Sequence, residues 1–181
     1  MSDTSQSRPL RMEKGWGKVL VLSVPLLFGL LIAFSVASGL WSIASTQESG
    51  PAPNQLAGYH LTTVMVGPEA IAEVNGLHGK EIDVVDAWVG HYQGGGAVWV
   101  AQAASEEKAR QLLDDMVRRI QDGGSPFRGL TPQAYKGLTV YSVTDGRQMH
   151  FFYQRSTKVV WVATPQDAEE EFFAAAFRKV D

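Results

Sequence analysis

The sequence predicts an α+β domain carried behind a single transmembrane helix, and three observations predict it. Between Lys18 and Glu48 the chain runs for 29 residues without a charged side chain. From Tyr59 onward, short runs of β-branched and aromatic residues are interleaved with stretches whose apolar residues step by three and four. Two strand-strand-helix units within that region also look alike.

The uncharged stretch comes first. About 20 apolar residues let a helix cross the hydrocarbon core, so residues 19–43 are long enough to span it with some tilt. The apolar region of a cleaved secretory signal is only about 7 to 15 residues long, which makes a retained anchor the expectation. Trp16 and Trp41 sit near the two ends of the span, where indoles favour the headgroup layer. Arg8, Arg11, Lys14 and Lys18 precede it, and the next Lys or Arg after it is Lys80. Basic residues stay on the cytoplasmic side, so residues 1–18 are expected in the cytoplasm and the C-terminal part outside an inner or plasma membrane. Within the span Gly29, Ala33 and Ala37 fall on one helix face, a stripe on which a partner membrane helix can dock.

Residues 44–58 are rich in Pro, Gly and small polar residues and read as a linker, followed by an exported domain over residues 59–181. From residue 46 onward 12 Lys and Arg stand against 17 Asp and Glu, with no basic cluster, which argues against nucleic acid as a partner. The chain has no cysteine, so disulfides and thiolate metal sites are excluded.

Within the domain, residues 59–66 alternate weakly as a strand, and Pro68 opens a short helix that Gly76 or Gly79 stops. Residues 82–93 read as a longer strand, Gly94 to Gly96 as a tight turn, and residues 97–104 as the antiparallel mate. Ser105 caps the clearest helix, with Glu106 and Glu107 in the first turn, where the macrodipole favours negative charge. Ala109, Leu112, Leu113, Met116, Val117 and Ile120 give it one apolar face. A loop through Gly123, Gly124 and Pro126 leads to strands at 138–144 and 148–154, flanking Asp145-Gly146 as a two-residue turn. A strand at 159–163 and a final helix beyond Thr164-Pro165, with Phe172, Phe173, Ala176, Phe177 and Val180 as its buried stripe, complete the domain.

The repeat pairs Tyr92-Gln93 and Val98-Trp99-Val100-Ala101 with Tyr153-Gln154 and Val160-Trp161-Val162-Ala163, about 61 to 62 residues later. Neither half buries its apolar sheet face alone, so the expectation is a two-layer antiparallel sheet with helices on one face, ferredoxin-like or a duplicated ββα unit.

No residue pattern carries a catalytic signature. His60, His78, His91 and His150 lack metal-ligand spacing, and Asp83 and Asp86, three apart on a strand, point to opposite faces. Gly94 to Gly96 precede a strand rather than a phosphate-binding helix, and no Gly-x-Ser-x-Gly occurs. The expectation is therefore a protein that is not an enzyme and needs no cofactor or metal. It would act as an interaction or accessory subunit of a membrane complex, its partners being the lipid bilayer and a membrane protein. The alternative is an extracytoplasmic ligand-binding or sensory domain that uses an aromatic sheet face. The candidates for that face are Trp88, Tyr92, His91, His150, Phe152 and Trp161, with His91 and His150 on the same side of the sheet if the repeat holds.

Overall fold

A computed structural model describes residues 51–78 and 81–180. The proposed span at 19–43 and the stripe of Gly29, Ala33 and Ala37 lie outside the described residues. Among the described residues no helix is long and apolar enough to cross a membrane.

The chain order is β1 (Gln55–Leu56), β2 (Tyr59–Val66), α1 (Pro68–His78), β3 (Asp86–Tyr92), a 3₁₀ turn (Gln93–Gly95), β4 (Ala97–Gln102), α2 (Glu106–Gln121), β5 (Arg128–Tyr135), β6 (Leu138–Thr144), β7 (Met149–Arg155), β8 (Lys158–Ala163) and α3 (Glu169–Lys179). The strands form one antiparallel sheet in the order β1-β2-β3-β4-β8-β7-β6-β5. The fold is α+β as expected. Its centre is the β4–β8 pair, where Trp99 lies opposite Trp161, with Val98 opposite Val162 and Val100 opposite Val160. Trp99 therefore meets its own counterpart and each valine the counterpart of the other, as a local two-fold axis through the tryptophans requires.

The equivalence is looser one strand out. Trp99 faces Val89 on β3, whereas Trp161 faces Phe152 on β7, which puts Tyr153 in the place of Gly90 rather than of Tyr92. The connections explain the slip: residues 93–96 join β3 to β4, and only Ser156 and Thr157 join β7 to β8.

Helices cover both faces, which corrects the expected two-layer arrangement. Val98, Val100, Phe151, Tyr153, Val160 and Val162 share a core with Phe172, Phe173, Ala176 and Phe177 of α3. On the opposite face Val143, Phe152 and Val159 pack on Ala109, Leu113 and Ile120 of α2, while Ala87 and Val89 pack on Ala70 and Val74 of α1. The cause is in the central strands: β3, β4, β7 and β8 carry unbroken apolar runs such as Phe151-Phe152-Tyr153, and alternation sends every second ring to each side. A single helical layer would leave half of them in water.

Four further boundaries differ from expectation. The end of the 44–58 linker belongs to the domain: Gln55–Leu56 pairs with β2, and Leu56 and Ala52 are buried in the core beneath α3. β5 occupies what reads as loop, because Gly129 and Pro132 break its strand pattern and most of its side chains are exposed at the sheet edge. β3 begins at Asp86 rather than at residue 82. The β6–β7 connection spans four residues, 145–148, since Thr144 pairs with Met149, and Asp145 Oδ1 accepts from the backbone N–H of Arg147 and of Gln148.

Candidate site: an apolar groove over the β4–β8 seam

α1 connects β2 to β3 and covers the first half of one sheet face; α2 leaves β4 for the far edge strand β5 and covers the second half. Neither helix covers the seam between the halves. A groove of about 820 Å³ opens there, with Trp99, Ala101, Val159 and Trp161 as its floor. Val74 and Leu77 of α1 form one wall, Leu112, Met116 and Ile120 of α2 the other, and Pro126 and Phe127 lie in the loop at one end. Leu77 of the α1 wall is 65% exposed.

The α2 wall is held by local chemistry. Ser105 Oγ accepts from the Lys108 N–H at 3.2 Å, Glu107 pairs with Arg110 and Arg110 with Asp114, and Asp115, at the groove, pairs with Arg118. The Arg119 Nε–H donates to the carbonyl of Gly124 at 3.0 Å and ties the helix end to the loop.

Both indole N–H groups of the floor are committed. The Trp99 Nε1–H donates to Glu73 Oε1 of α1 at 2.8 Å, and His91 lies beside the same carboxylate, Nε2 to Oε1 3.4 Å. The Trp161 Nε1–H donates to His150 Nδ1 at 3.1 Å. An indole N–H only donates, so Nδ1 is unprotonated and the neutral ring carries its proton on Nε2. That atom is buried, has no hydrogen-bond partner, and stands 3.7 Å from Asp145 Oδ2. Burial pushes the His150 pKa below its usual value, opposed by the nearby Asp145 carboxylate. Hydrogen bonds from the Gln148 and Arg147 backbone hold Asp145 below the usual carboxylate range. With Nδ1 turned to Trp161 and Nε2 to Asp145, neither ring nitrogen faces a hydroxyl nucleophile.

The six residues expected on one aromatic face divide between two. His91, His150, Phe152 and Trp161 lie on the groove side; Trp88 and Tyr92 lie on the α3 side, buried in its core, with the Tyr92 O–H donating to Pro53 O at 2.9 Å. This corrects the single face, and alternation is the reason: on one strand His91 cannot share a side with Tyr92 or Trp88. His91 and His150 do share a side and a row, His91 opposite Ala97, Ala97 opposite Ala163, Ala163 opposite His150. Three strand spacings, roughly 14 Å, separate them, so they do not form a pair. Only His150 and Trp161 of the six line the groove. Phe152 is fully buried, stacked between Tyr141 at 5.3 Å and Trp161 at 4.7 Å.

The sequence reading missed Trp99 and the helix residues Leu77, Leu112 and Met116 as site residues. The signal for Trp99 is the repeat itself, since the counterpart of Trp161 has to face the same side across a local two-fold axis. Among the described residues no three His, Asp or Glu side chains gather as a metal site. No family model, no curated protein and no solved structure matches this chain.

Proposed function

We propose that the chain is a single-pass membrane-anchored binding protein, N-terminus in the cytoplasm, whose exported domain takes an uncharged apolar small molecule in the α1–α2 groove without chemical change. The observation that carries this reading is the groove itself: about 820 Å³, walled by aliphatic side chains and floored by two tryptophans. Small-molecule sites commonly have about 300 to 1,000 Å³ and a mostly apolar lining. The floor offers an occupant no free indole N–H, since both are already bonded within the protein, which favours an apolar ligand. The 29 uncharged residues and the basic side chains before them support the anchor.

The test uses the full chain in lipid nanodiscs, with empty nanodiscs as blank, titrated with the uncharged fluorescent dye N-phenylnaphthylamine. Leu77→Glu puts a charge at the groove wall on an already exposed position and is expected to weaken dye binding about tenfold, the worth of one apolar side-chain contact. Equal binding by wild type and variant would refute the groove. A second reading, an accessory subunit docked through Gly29, Ala33 and Ala37, rests on the four-residue spacing of those small side chains. It predicts that Gly29→Leu with Ala33→Leu strips defined partners from the protein purified in mild detergent.

A further inference from the structure

The two tryptophans of the groove floor are held by different acceptors. Trp99 donates to a carboxylate, Glu73, with His91 beside it. Trp161 donates to an imidazole nitrogen. A second proton on His150 has one place to go, because Nε2 already carries the first: it binds Nδ1, the atom that accepts the Trp161 N–H. Two N–H donors then face each other across 3.1 Å, and the bond is lost.

We propose that His150 is an acid-operated release for the groove: neutral, it fixes the Trp161 indole in the floor; protonated, it turns to Asp145, frees the indole N–H, and expels the apolar occupant. The inference rests on the reading of the groove as a binding site. Its geometry is specific. The His150 side chain is 7% exposed, and its free Nε2 stands 3.7 Å from Asp145 Oδ2, short of a hydrogen bond by less than an ångström, so a small ring movement completes the ion pair. The Trp161 indole is packed against Phe152 and Phe127 at 4.7 and 4.9 Å. Neither ring can accept its orphaned N–H as a carbonyl or imidazole would. The indole has to turn toward water in the groove, and a polar edge then lies where the apolar ligand sat.

The groups around the imidazole are few. Asp145 from the β6–β7 connection is the charged group that faces it. β6 presents Val143, β8 presents Ala163 and Trp161, and the segment after α2 presents Phe127 at 4.8 Å. The other ionisable groups on the groove are Asp115 and Arg119 of α2, Asp122 just beyond it, and His78, whose Nδ1 is 2.8 Å from the carbonyl of Val74. Burial lowers the His150 pKa, so the release operates on the acid side of the ordinary imidazole value.

The experiment follows N-phenylnaphthylamine binding by the full chain in nanodiscs between about pH 8 and pH 5, together with the Trp161 indole N–H proton resonance of the same samples. Wild type is expected to lose at least about tenfold in dye affinity on acidification, with the Trp161 resonance shifting in the same window. His150→Asn keeps an acceptor near the Nδ1 position and does not titrate, so it should bind at both ends of the range with a flat profile. Asp145→Asn, which keeps the Oδ1 acceptor for the turn, should move the transition to lower pH, and His91→Asn should leave it unchanged. Trp161→Phe removes the N–H and should also flatten the profile if His150→Asn does not fold. A wild-type response that persists in His150→Asn or Trp161→Phe overturns the proposal. So does a Trp161 resonance that stays constant with pH, whether or not dye binds. Absence of dye binding at neutral pH with a Trp161 resonance that still responds refutes the apolar ligand and leaves the switch standing.

Discussion

Phe152 is the side chain on which the groove floor rests. It is fully buried and stacked on both sides by Tyr141 and Trp161. Phe152→Ala should cost about 3 to 5 kcal/mol in a denaturant titration, from lost burial and from a cavity that two rigid rings cannot close. His150 sets a second prediction. Its folded-state pKa lies below the ordinary 6.5, so the unfolded chain binds the proton more tightly. The stability this group contributes is complete above that value and is lost as pH falls through the window beneath it. Thermal melts of wild type should therefore fall in that window more steeply than those of His150→Asn, and parallel curves would deny the burial its energetic role. At this scale the sequence was partly legible. Trp161 and His150 lie where an aromatic sheet face was expected, yet Trp88 and Tyr92 do not: alternation along β3 alone parts them from His91, and only which of the two sets joins the β7 and β8 residues waits on the register that the turn lengths fix.

Elements were more legible than their ends. α2 is the amphipathic helix its spacing predicts, starting at the Ser105 cap. Ser105→Ala should destabilise the fold by about 1 kcal/mol, measured by urea unfolding. The three glycines at 94–96 form a connection, as read, but they are not interchangeable. Gly94 and Gly95 have φ values of +71° and +81°, whereas Gly96 is needed for space: a Cβ there would lie 2.6 Å from the ring of Phe172, which is fully buried. Gly96→Ala should cost about 1 to 3 kcal/mol through overpacking between β4 and α3, and an unchanged midpoint would show that the ring has room to move. β1 and β5 were illegible because an edge strand needs neither alternation nor apolar side chains. Gln55–Leu56 is held by pairing with β2 and by the burial of Leu56, and β5 tolerates Gly129 and Pro132 because it pairs on one side only.

At the scale of the whole domain, duplication and layer number come apart. The repeat foretold a sheet made of two halves, and the pairing of Trp99 with Trp161 is their junction. It did not foretell that α1 and α2 would share one face while α3 covers the other. The information was present as apolar runs in four strands, a pattern that buried sheets share with short buried helices. The groove is a consequence of this layout, since two helices that each serve one half leave the junction between them bare on that side.

The same junction imposes an order in time. β5 to β8 are joined by connections of two, four and two residues, Lys136-Gly137, 145–148 and Ser156-Thr157, so their pairings close short loops. The β4–β8 ladder closes across about 60 residues of chain and carries a larger entropy of loop closure. The C-terminal meander should thus assemble first and present β8 as a template on which β4, and with it β3 and α1, docks late. Two fully buried valines separate these stages: in stopped-flow refolding Val143→Ala on β6 should slow folding, while Val89→Ala on β3 should chiefly quicken unfolding. In a refolding chain the interval between the two events leaves the β8 edge unpaired, its row of backbone donors and acceptors open to any strand that arrives before β4 does.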